Sequence, residues 1–225
     1  MSLSNFLNKP YNSCCNVFSI GKPKSGKTYL LLNALKNYWL PKNTFSEVHL
    51  VLPTFNYEQN NSYKFLKEYK GKTNIKIYLK YTPEIAKKLI EQQKKNNKNR
   101  VLFAIDDTTH QKNDIFYCPY ITEIATTSRH LNIHFFVILH YAKGIIPKNA
   151  KEQTHYFIIY QLNKAGLKDI YENYFDFMED FENEKEFIKY MNEIYTKHKN
   201  GGLLFEATGP KSERKYNPNV SNFFD

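Results

Sequence analysis

The sequence predicts an α/β domain in which a mostly parallel sheet is covered by helices on both faces. Two runs, 101–105 and 133–139, have the length of a strand and are apolar almost throughout, which is typical of strands buried on both faces. Segments with apolar residues at helical spacing lie between such runs, and this alternation favours a parallel sheet. With 225 residues, of which 41% are apolar, the chain can enclose a sizeable core.

The predicted elements alternate along the chain. A short apolar strand, 15–20, ends at a glycine, and the helical spacing of 28–38 continues until Pro41 ends it. A second strand, 48–52, stops at Pro53-Thr54, and Pro83 stands at the start of a helix over 84–96 whose later part is a solvated Lys/Gln face. The other predicted strands are 75–79, 101–105, 133–139, 155–160 and 203–207, and the other predicted helices are 63–69, 121–129 and 169–199.

The chain divides into an N-terminal arm at 1–12, a core at 13–168 and a helical C-terminal portion with a tail at 169–225. The C-terminal helical stretch is rich in Tyr, Phe and Glu, and Gly201-Gly202 ends it. The sequence shows no internal repeat, and no long linker lies between these parts. We therefore expect them to belong to one domain.

The chain is basic, with a formal net charge of +10 and a pI of about 9.2. Such a charge suits an acidic polymer as partner. AT-rich codons would also raise the content of Lys, Asn, Ile, Tyr and Phe, and the chain has only three arginines, Arg100, Arg129 and Arg214. Binding of a polyanion and codon bias both stay open as explanations.

Cysteine content and hydropathy bear on the compartment. Three cysteines, two of them adjacent, do not form a disulfide framework. The polar first residues do not resemble a secretory signal peptide, and no apolar run approaches the roughly 18 residues needed to span a bilayer. We expect a soluble protein without a membrane partner, inside a cell or inside a particle assembled there.

A glycine-rich stretch between the first strand and its helix matches the pattern G-x-x-x-x-G-K-[ST] in full. Gly21 and Gly26 allow the backbone to turn tightly near phosphates, and backbone N–H groups with the helix N-terminus supply positive potential. Lys27 adds a charge at the β- and γ-phosphates, and the Thr28 hydroxyl can ligate Mg²⁺. The predicted ATP site comprises Gly21, Lys22, Pro23, Lys24, Ser25, Gly26, Lys27 and Thr28.

The run at 101–105 ends in two acidic residues, Asp106 and Asp107. A P-loop needs such an acid at the tip of a neighbouring buried strand to hold the magnesium ion. We predict that Asp106 faces the metal and that Asp107 orients or deprotonates the attacking water. Many P-loop ATPases have Glu at the second position, and Asp is shorter by one methylene.

One residue on each side of the apolar run at 133–139 is a further candidate for the site. His140 follows the run, and the carboxyl ends of strands face the ligand crevice in open α/β sheets. It can sense the γ-phosphate, or it can simply cap the strand. Arg129 precedes the run and is the first candidate for a cation that stabilises the transition state, ahead of Arg100 and Arg214. A surface ion pair or a DNA contact is the alternative for Arg129.

Two other groups of residues give weaker signals. Cys118, His130, His134 and His140 do not stand at zinc-ligand spacing, so we expect core or surface roles for them. The basic cluster at the end of the 84–96 helix can touch a DNA backbone or can be a solvated helix end; it comprises Lys94, Lys95, Lys98 and Arg100.

The chain lacks the signature motifs of several classes of P-loop protein. The guanine motif N-K-x-D, the ABC-type LSGGQ and the arginine-rich lid of small-molecule kinases are absent from the sequence, and two-lobed helicases need twice its length. The sequence resembles the FtsK–HerA superfamily and, within it, the poxvirus-type DNA-packaging ATPases of large DNA viruses and virophages. The resemblance spans roughly residues 13–165 and rests on the P-loop, Pro53-Thr54, Asp106-Asp107, Ser128-Arg129-His130 and the turn Pro147-Lys148-Asn149-Ala150.

This resemblance implies a RecA-like P-loop NTPase fold, with ATP and Mg²⁺ bound. It also implies a homo-oligomeric ring, a hexamer or pentamer, that moves double-stranded DNA into a viral capsid, with the capsid vertex as a partner. The protein would then act in the virion or at a viral assembly site in the host cytoplasm. Arg129 matches the family's Arg-His position, whereas the family commonly has Gln where His140 stands.

Two other functions stay open. A nucleotide-gated DNA-binding or scaffold module with slight turnover is consistent with Asp107 in place of Glu. A helicase-loading ATPase of the AAA+ kind would add a helical lid with its own sensor arginine. The segment 169–199 is predicted to be helical, but it contains no arginine.

Overall fold

The computed structural model describes residues 3–55, 61–69, 73–106, 111, 115, 117–141, 148–173, 181–198 and 201–207. Its strands are β1 (Asn16–Ile20), β2 (Glu47–Val51), β3 (Asn74–Tyr78), β4 (Val101–Ile105), β5 (Ile133–Leu139), β6 (Tyr156–Tyr160) and β7 (Gly202–Glu206). They form one seven-stranded sheet in the order β3-β2-β4-β5-β1-β6-β7. Every pairing is parallel except that of β6 with β7, so the predicted mostly parallel sheet is confirmed.

Helices cover both faces of the sheet, as predicted. They are α1 (Leu3–Asn12), α2 (Lys27–Ala34), α3 (Phe65–Glu68), α4 (Pro83–Lys95), α5 (Pro119–Thr127), α6 (Lys148–Glu152), α7 (Lys164–Asn173) and α8 (Glu184–Lys197). Successive strand residues point to opposite faces. In β4, Phe103 joins the core beneath α4, α5, α7 and α8, whereas Leu102 joins the core beneath α1, α2 and α3. This is why β4 carries an apolar residue at every position.

The helix after the P-loop consists of an α-helical part and a π-helical turn. A π-helical turn, Leu35–Trp39, continues α2, and both of its end residues are buried. The Trp39 indole N–H donates to the Leu7 carbonyl at 3.0 Å, and its ring packs near Phe6. Residues 1–12, expected to be an arm, thus supply the helix α1, which contributes to the core beneath the P-loop helix.

Three helical predictions differ from the structure. The segment 169–199 is not one helix, because α7 ends at Asn173 and α8 begins anew after Asn183, whose side chain accepts from the Glu186 N–H at 3.1 Å. This is an N-cap, and Asn favours that position over a helix interior. The predicted helix at 63–69 is reduced to α3 after a 3₁₀ turn, and Gln93 on the predicted solvated face of α4 is 1% exposed. The predicted tail, 210–225, lies outside the described residues.

Candidate nucleotide-binding site

The P-loop, the acidic strand end and His140 meet at one edge of the sheet, because β1, β4 and β5 run in the same direction. The Gly21 N–H donates to the Leu139 carbonyl at 3.0 Å, which fixes the start of the P-loop beside the end of β5. The Asp106 N–H donates to the Val51 carbonyl at 2.9 Å. This carboxyl edge is where ligands bind in open α/β sheets.

The backbone of the loop is shaped for a phosphate. Gly26, just before α2, has a φ of 103°, which side-chain-bearing residues rarely adopt, and Lys24 has a φ of 62°. The first N–H groups of a helix have no partner within the helix, so the start of α2 presents donors and a positive dipole end. An anion at this place would be bound by both.

Lys27 lies inside the loop rather than in solvent. Its side chain is 4% exposed, and its Nζ donates to the carbonyls of Gly21 at 2.6 Å and Lys22 at 2.7 Å. These carbonyls hold the ammonium group within the concave side of the P-loop. A bound phosphate would be a stronger partner for the same charge, because charge-assisted hydrogen bonds between two ions exceed those to a neutral carbonyl.

Thr28 and Asp106 are in direct contact. The Thr28 hydroxyl donates to Oδ2 of Asp106 at 2.7 Å, which joins the P-loop to the acidic end of β4. Both groups are hard oxygen donors, and Mg²⁺ commonly takes one or two protein oxygens while keeping its water ligands. Thr28 and Asp106 therefore fit a magnesium ion bound together with nucleotide phosphates.

Gly21 is required by packing. A Cβ at this position would lie 2.5 Å from Cβ of Tyr160 and 2.9 Å from Oγ of Ser25. Its N–H and that of Lys22 anchor the loop to the ends of β5 and β6, the latter through the Gln161 carbonyl at 2.8 Å. The tight approach of P-loop and β6 thus depends on the missing side chain.

We expect Gly21→Ala to lower the free energy of unfolding by about 1–3 kcal/mol, as overpacking of a rigid site does. It should also weaken binding of a non-hydrolysable ATP analogue, because the loop must shift away from Tyr160. Urea denaturation and calorimetric titration measure the two effects. Gly166→Ala in α7 is the control and should change stability by less than about 1 kcal/mol. A Gly21→Ala protein with unchanged stability and binding would contradict this account.

Tyr63 also belongs to this site, although no sequence pattern identifies it. It lies in a 3₁₀ turn, is buried, and has its hydroxyl near Thr54 of the Pro-Thr turn after β2. Burial and the negative charge of Asp106 raise the pKa of the Tyr63 hydroxyl, so that group stays protonated. The Pro53-Thr54 motif therefore has a structural partner near the acid.

The other predicted site residues are found in three different situations. His140 is half-buried and directly follows Leu139, whose carbonyl receives the Gly21 N–H, so it lies at the carboxyl edge beside the P-loop. Asp107 lies outside the described residues. Arg129 is exposed and precedes β5, so it lies at the amino edge of the sheet, away from the other candidates.

The surroundings of Arg129 confirm that position. Burial and the nearby charge of Arg129 lower the pKa of His155 to about 4, and His155 immediately precedes β6. The His155 Nδ1 accepts from the N–H of Asn16, the first residue of β1. Strand β5 is seven residues long, so about 20 Å of strand separates this edge from the P-loop edge.

The histidines considered for zinc are spread through the fold. His134 is buried at the amino end of β5, where its Nδ1 lies 3.4 Å from Sγ of Cys15, whereas His140 follows the opposite end of the strand. The thiol of Cys118 accepts from the Tyr81 hydroxyl at 3.1 Å. Across the described part of the chain, no three His, Cys, Asp or Glu side chains come close enough to hold a metal ion, and no helix is long and apolar enough to cross a membrane.

Comparison with known proteins matches residues 4–204 to a family described as "Poxvirus A32 protein". Protein 075L of Invertebrate iridescent virus 6, described as uncharacterized, is 29% identical over 125 residues, which are 53% of this chain. The matched region spans only about half of that relative, 48% of its length.

Solved structures show the same fold. The genome packaging NTPase B204 from Sulfolobus turreted icosahedral virus 2, in complex with AMP, superposes with a TM-score of 0.57 at 18% identity, covering 91% of this chain and 96% of that one. The Type VII secretion ATPase EccC of Thermomonospora curvata superposes with a TM-score of 0.56 at 10% identity, covering 87% of this chain and 24% of EccC. The predicted P-loop NTPase fold is therefore confirmed.

Proposed function

We propose that this chain, which belongs to the poxvirus A32 protein family, is an FtsK–HerA-type ATPase that moves double-stranded DNA during the packaging of a viral genome. One observation carries the proposal. The Thr28 hydroxyl contacts the Asp106 carboxylate at 2.7 Å beside the buried Lys27, so the P-loop and the acidic strand end form one site for a magnesium–nucleotide complex. B204, which shares this fold, is a genome packaging NTPase, and this supports the same role here.

The chain's own groups can bind and orient ATP. N–H groups at the start of α2 bind phosphate oxygens, and Lys27 moves from the carbonyls of Gly21 and Lys22 to the β- and γ-phosphates. Thr28 and Asp106 would hold a magnesium ion, which would supply positive charge to the phosphates. Asp107 orients or deprotonates the attacking water, and His140, beside the P-loop, senses the γ-phosphate.

Arg129 would act on the nucleotide of a neighbouring subunit. About 20 Å of strand lies between its edge of the sheet and its own P-loop, so it cannot reach the phosphates bound there. In a head-to-tail ring, the amino edge of one subunit can face the carboxyl edge of the next. Arg129 would then stabilise charge in the transition state at that interface, as arginine fingers do.

DNA is the proposed substrate of the motor. The formal net charge of +10 favours a polyanion. The exposed end of α4 carries Lys94 and Lys95, and Lys98 lies in the turn that follows it. Lys94 already pairs with Glu123 at 2.6 Å, which leaves the other two as the better candidates for phosphate contacts. A ring of six or five subunits, docked at a capsid vertex at the viral assembly site, is the assembly that this function would require.

Hydrolysis measured with and without duplex DNA tests the proposal. We expect ATP turnover to rise when duplex DNA is added, and DNA binding to weaken steeply between low and moderate salt as counterions are released. Heparin is the control, because a polyanion without duplex geometry should bind but should not stimulate turnover equally. Tight ATP binding with negligible turnover, unchanged by DNA, would instead favour the nucleotide-gated module.

The AAA+ alternative has little support. In AAA+ proteins the helical segment after the core would form a separate lid, whereas here α7 and α8 lead back to β7, which pairs with β6 from Tyr156 to Tyr160. Residues Leu167 and Phe187 of these helices are buried in the same core as β4 and β5. Of the predicted C-terminal portion, α7 and α8 thus pack on the sheet and β7 extends it.

A further inference from the structure

Arg129 lies on a turn whose backbone carbonyls all accept hydrogen bonds within the protein. The turn, residues 128–132, joins α5 to β5 and is called the Arg129 turn below. Helix ends normally leave carbonyls without protein partners. Here each consecutive carbonyl from Thr127 to Asn132 accepts a hydrogen bond. Backbone N–H groups donate to four of them: Leu131 to Thr127, Ile133 to Ser128, Asn132 to Arg129, and Val101 to Asn132. The side chains of Asn97 and Gln93 donate to the other two, His130 and Leu131.

Two of these donors are carboxamide side chains at the end of α4. Gln93 is 1% exposed, and its Nε2 donates to the carbonyl of Leu131 at 2.7 Å and to that of Asn99 at 2.9 Å. The exposed side chain of Asn97 donates to the His130 carbonyl at 3.1 Å. Neutral amides thus fix the carbonyls directly after Arg129 without adding a charge that would pair with its guanidinium.

A third carboxamide holds the helix before the turn. Asn16, the first residue of β1, is fully buried, and its Nδ2 donates to the carbonyls of Ala125 and Gln153. Ala125 lies one helical turn before Arg129, so α5 is tied to the strand that ends at the P-loop. The amide clamp, comprising Gln93, Asn97 and Asn16, therefore restrains the Arg129 turn from both sides.

A firmly held backbone beneath an exposed arginine suits a side chain that is presented to another molecule. A catalytic cation must be preorganised, because a shift of about 1 Å can cost about 10²-fold in rate. We infer that Gln93 is a positioning residue: it holds the Arg129 turn so that Arg129 enters the nucleotide site of the neighbouring subunit. This inference rests on the proposed role of Arg129.

The test compares Gln93→Met with the wild type in steady-state ATP hydrolysis by the assembled protein. Methionine has similar length but no donor, so the Leu131 carbonyl loses its partner. We expect kcat to fall by about 10- to 100-fold, with KM for ATP unchanged because Gln93 is far from its own P-loop. Arg129→Ala should then cost little more in the Gln93→Met background, since the two residues act through one group.

Mixing subunits gives a readout that lost stability would not mimic. Gln93→Met subunits mixed with Lys27→Ala subunits should regain turnover, because the second kind supplies a well-placed Arg129. Mixed with Arg129→Ala subunits, they should not. Asn97→Ala, an exposed substitution at the same turn, should show the same pattern with a smaller loss and serves if Gln93→Met does not fold.

Two controls separate positioning from stability. Gln92→Met, at the residue before Gln93 in α4, removes an exposed amide that donates to Glu47 on β2 and should leave kcat unchanged. Asn183→Ala removes the cap of α8 and should lower stability by about 1 kcal/mol without the loss of kcat. If Arg129→Ala abolishes turnover while Gln93→Met and Asn97→Ala leave kcat intact, or if their losses simply add to that of Arg129→Ala, the inference is wrong. If Arg129→Ala itself has no effect, the role of Arg129 and the inference both fail.

Discussion

Lys27→Ala is expected to abolish ATP turnover, with a loss of at least about 10²–10³-fold in kcat. The buried ammonium of Lys27 is held by two P-loop carbonyls, at 2.6 and 2.7 Å, on the side where phosphates would bind. With alanine at this position, the P-loop has no lysine ammonium group to stabilise the negative charge that develops on the phosphates in the transition state. Single-turnover hydrolysis of labelled ATP measures the chemical step directly.

The matched control is Lys36→Ala, which removes an exposed lysine from the π-helical turn that continues the same helix. It should leave kcat and KM unchanged. The melting temperature of Lys27→Ala is measured beside that of the wild type, because the variant also loses the buried stem of Lys27 and its two hydrogen bonds. Full hydrolysis by a folded Lys27→Ala protein would overturn the assignment of the P-loop as the catalytic site.

The carboxyl edge of the site could be predicted from local sequence patterns. A strand buried on both faces is mostly apolar, so consecutive acidic residues after an apolar run mark its end, as Asp106 marks the end of β4. Parallel strands then bring such ends to one edge. The contact between Thr28 and Asp106 follows from these two rules, although the residues are far apart in sequence.

The same rules predict at which edge of the sheet Arg129 lies. A residue that precedes a parallel strand lies at the amino edge, whereas one that follows it, such as His140, lies at the carboxyl edge. The two candidates flank one strand, so they cannot serve the same nucleotide within one subunit. Once the direction of the strands is known, these two positions lead to the proposal that Arg129 acts between subunits.

Other features lacked a local signal. Gln93 lies in a Lys/Gln-rich part of α4, which is typical of a solvated helix face. Only its position against the Arg129 turn accounts for its burial. Tyr63 lies in a short irregular connection without periodicity, so its approach to Asp106 depends on tertiary structure. The break before α8 was hidden because both flanking segments have helical spacing, and the Asn183 cap decides between them.

Arg129→Ala is expected to lower kcat by about 10³-fold or more, as loss of an arginine finger does. Its effect on ATP binding should be small, because the residue lies across the sheet from its own P-loop. Arg100→Ala, which removes the competing candidate, should have a much weaker effect. Steady-state hydrolysis and analogue binding by the assembled protein measure both parameters, and Lys88→Ala, at an exposed position of α4, controls for the loss of a surface cation.

Mixed assemblies decide whether Arg129 acts between subunits. Lys27→Ala subunits have a defective P-loop but an intact Arg129, and Arg129→Ala subunits have the reverse. In a head-to-tail ring of equal, randomly mixed subunits, about one quarter of the interfaces combine an intact P-loop with an intact arginine. Turnover should therefore reappear when two inactive proteins are mixed. If the mixture stays inactive while each variant still assembles with the wild type, Arg129 does not act on the neighbouring site.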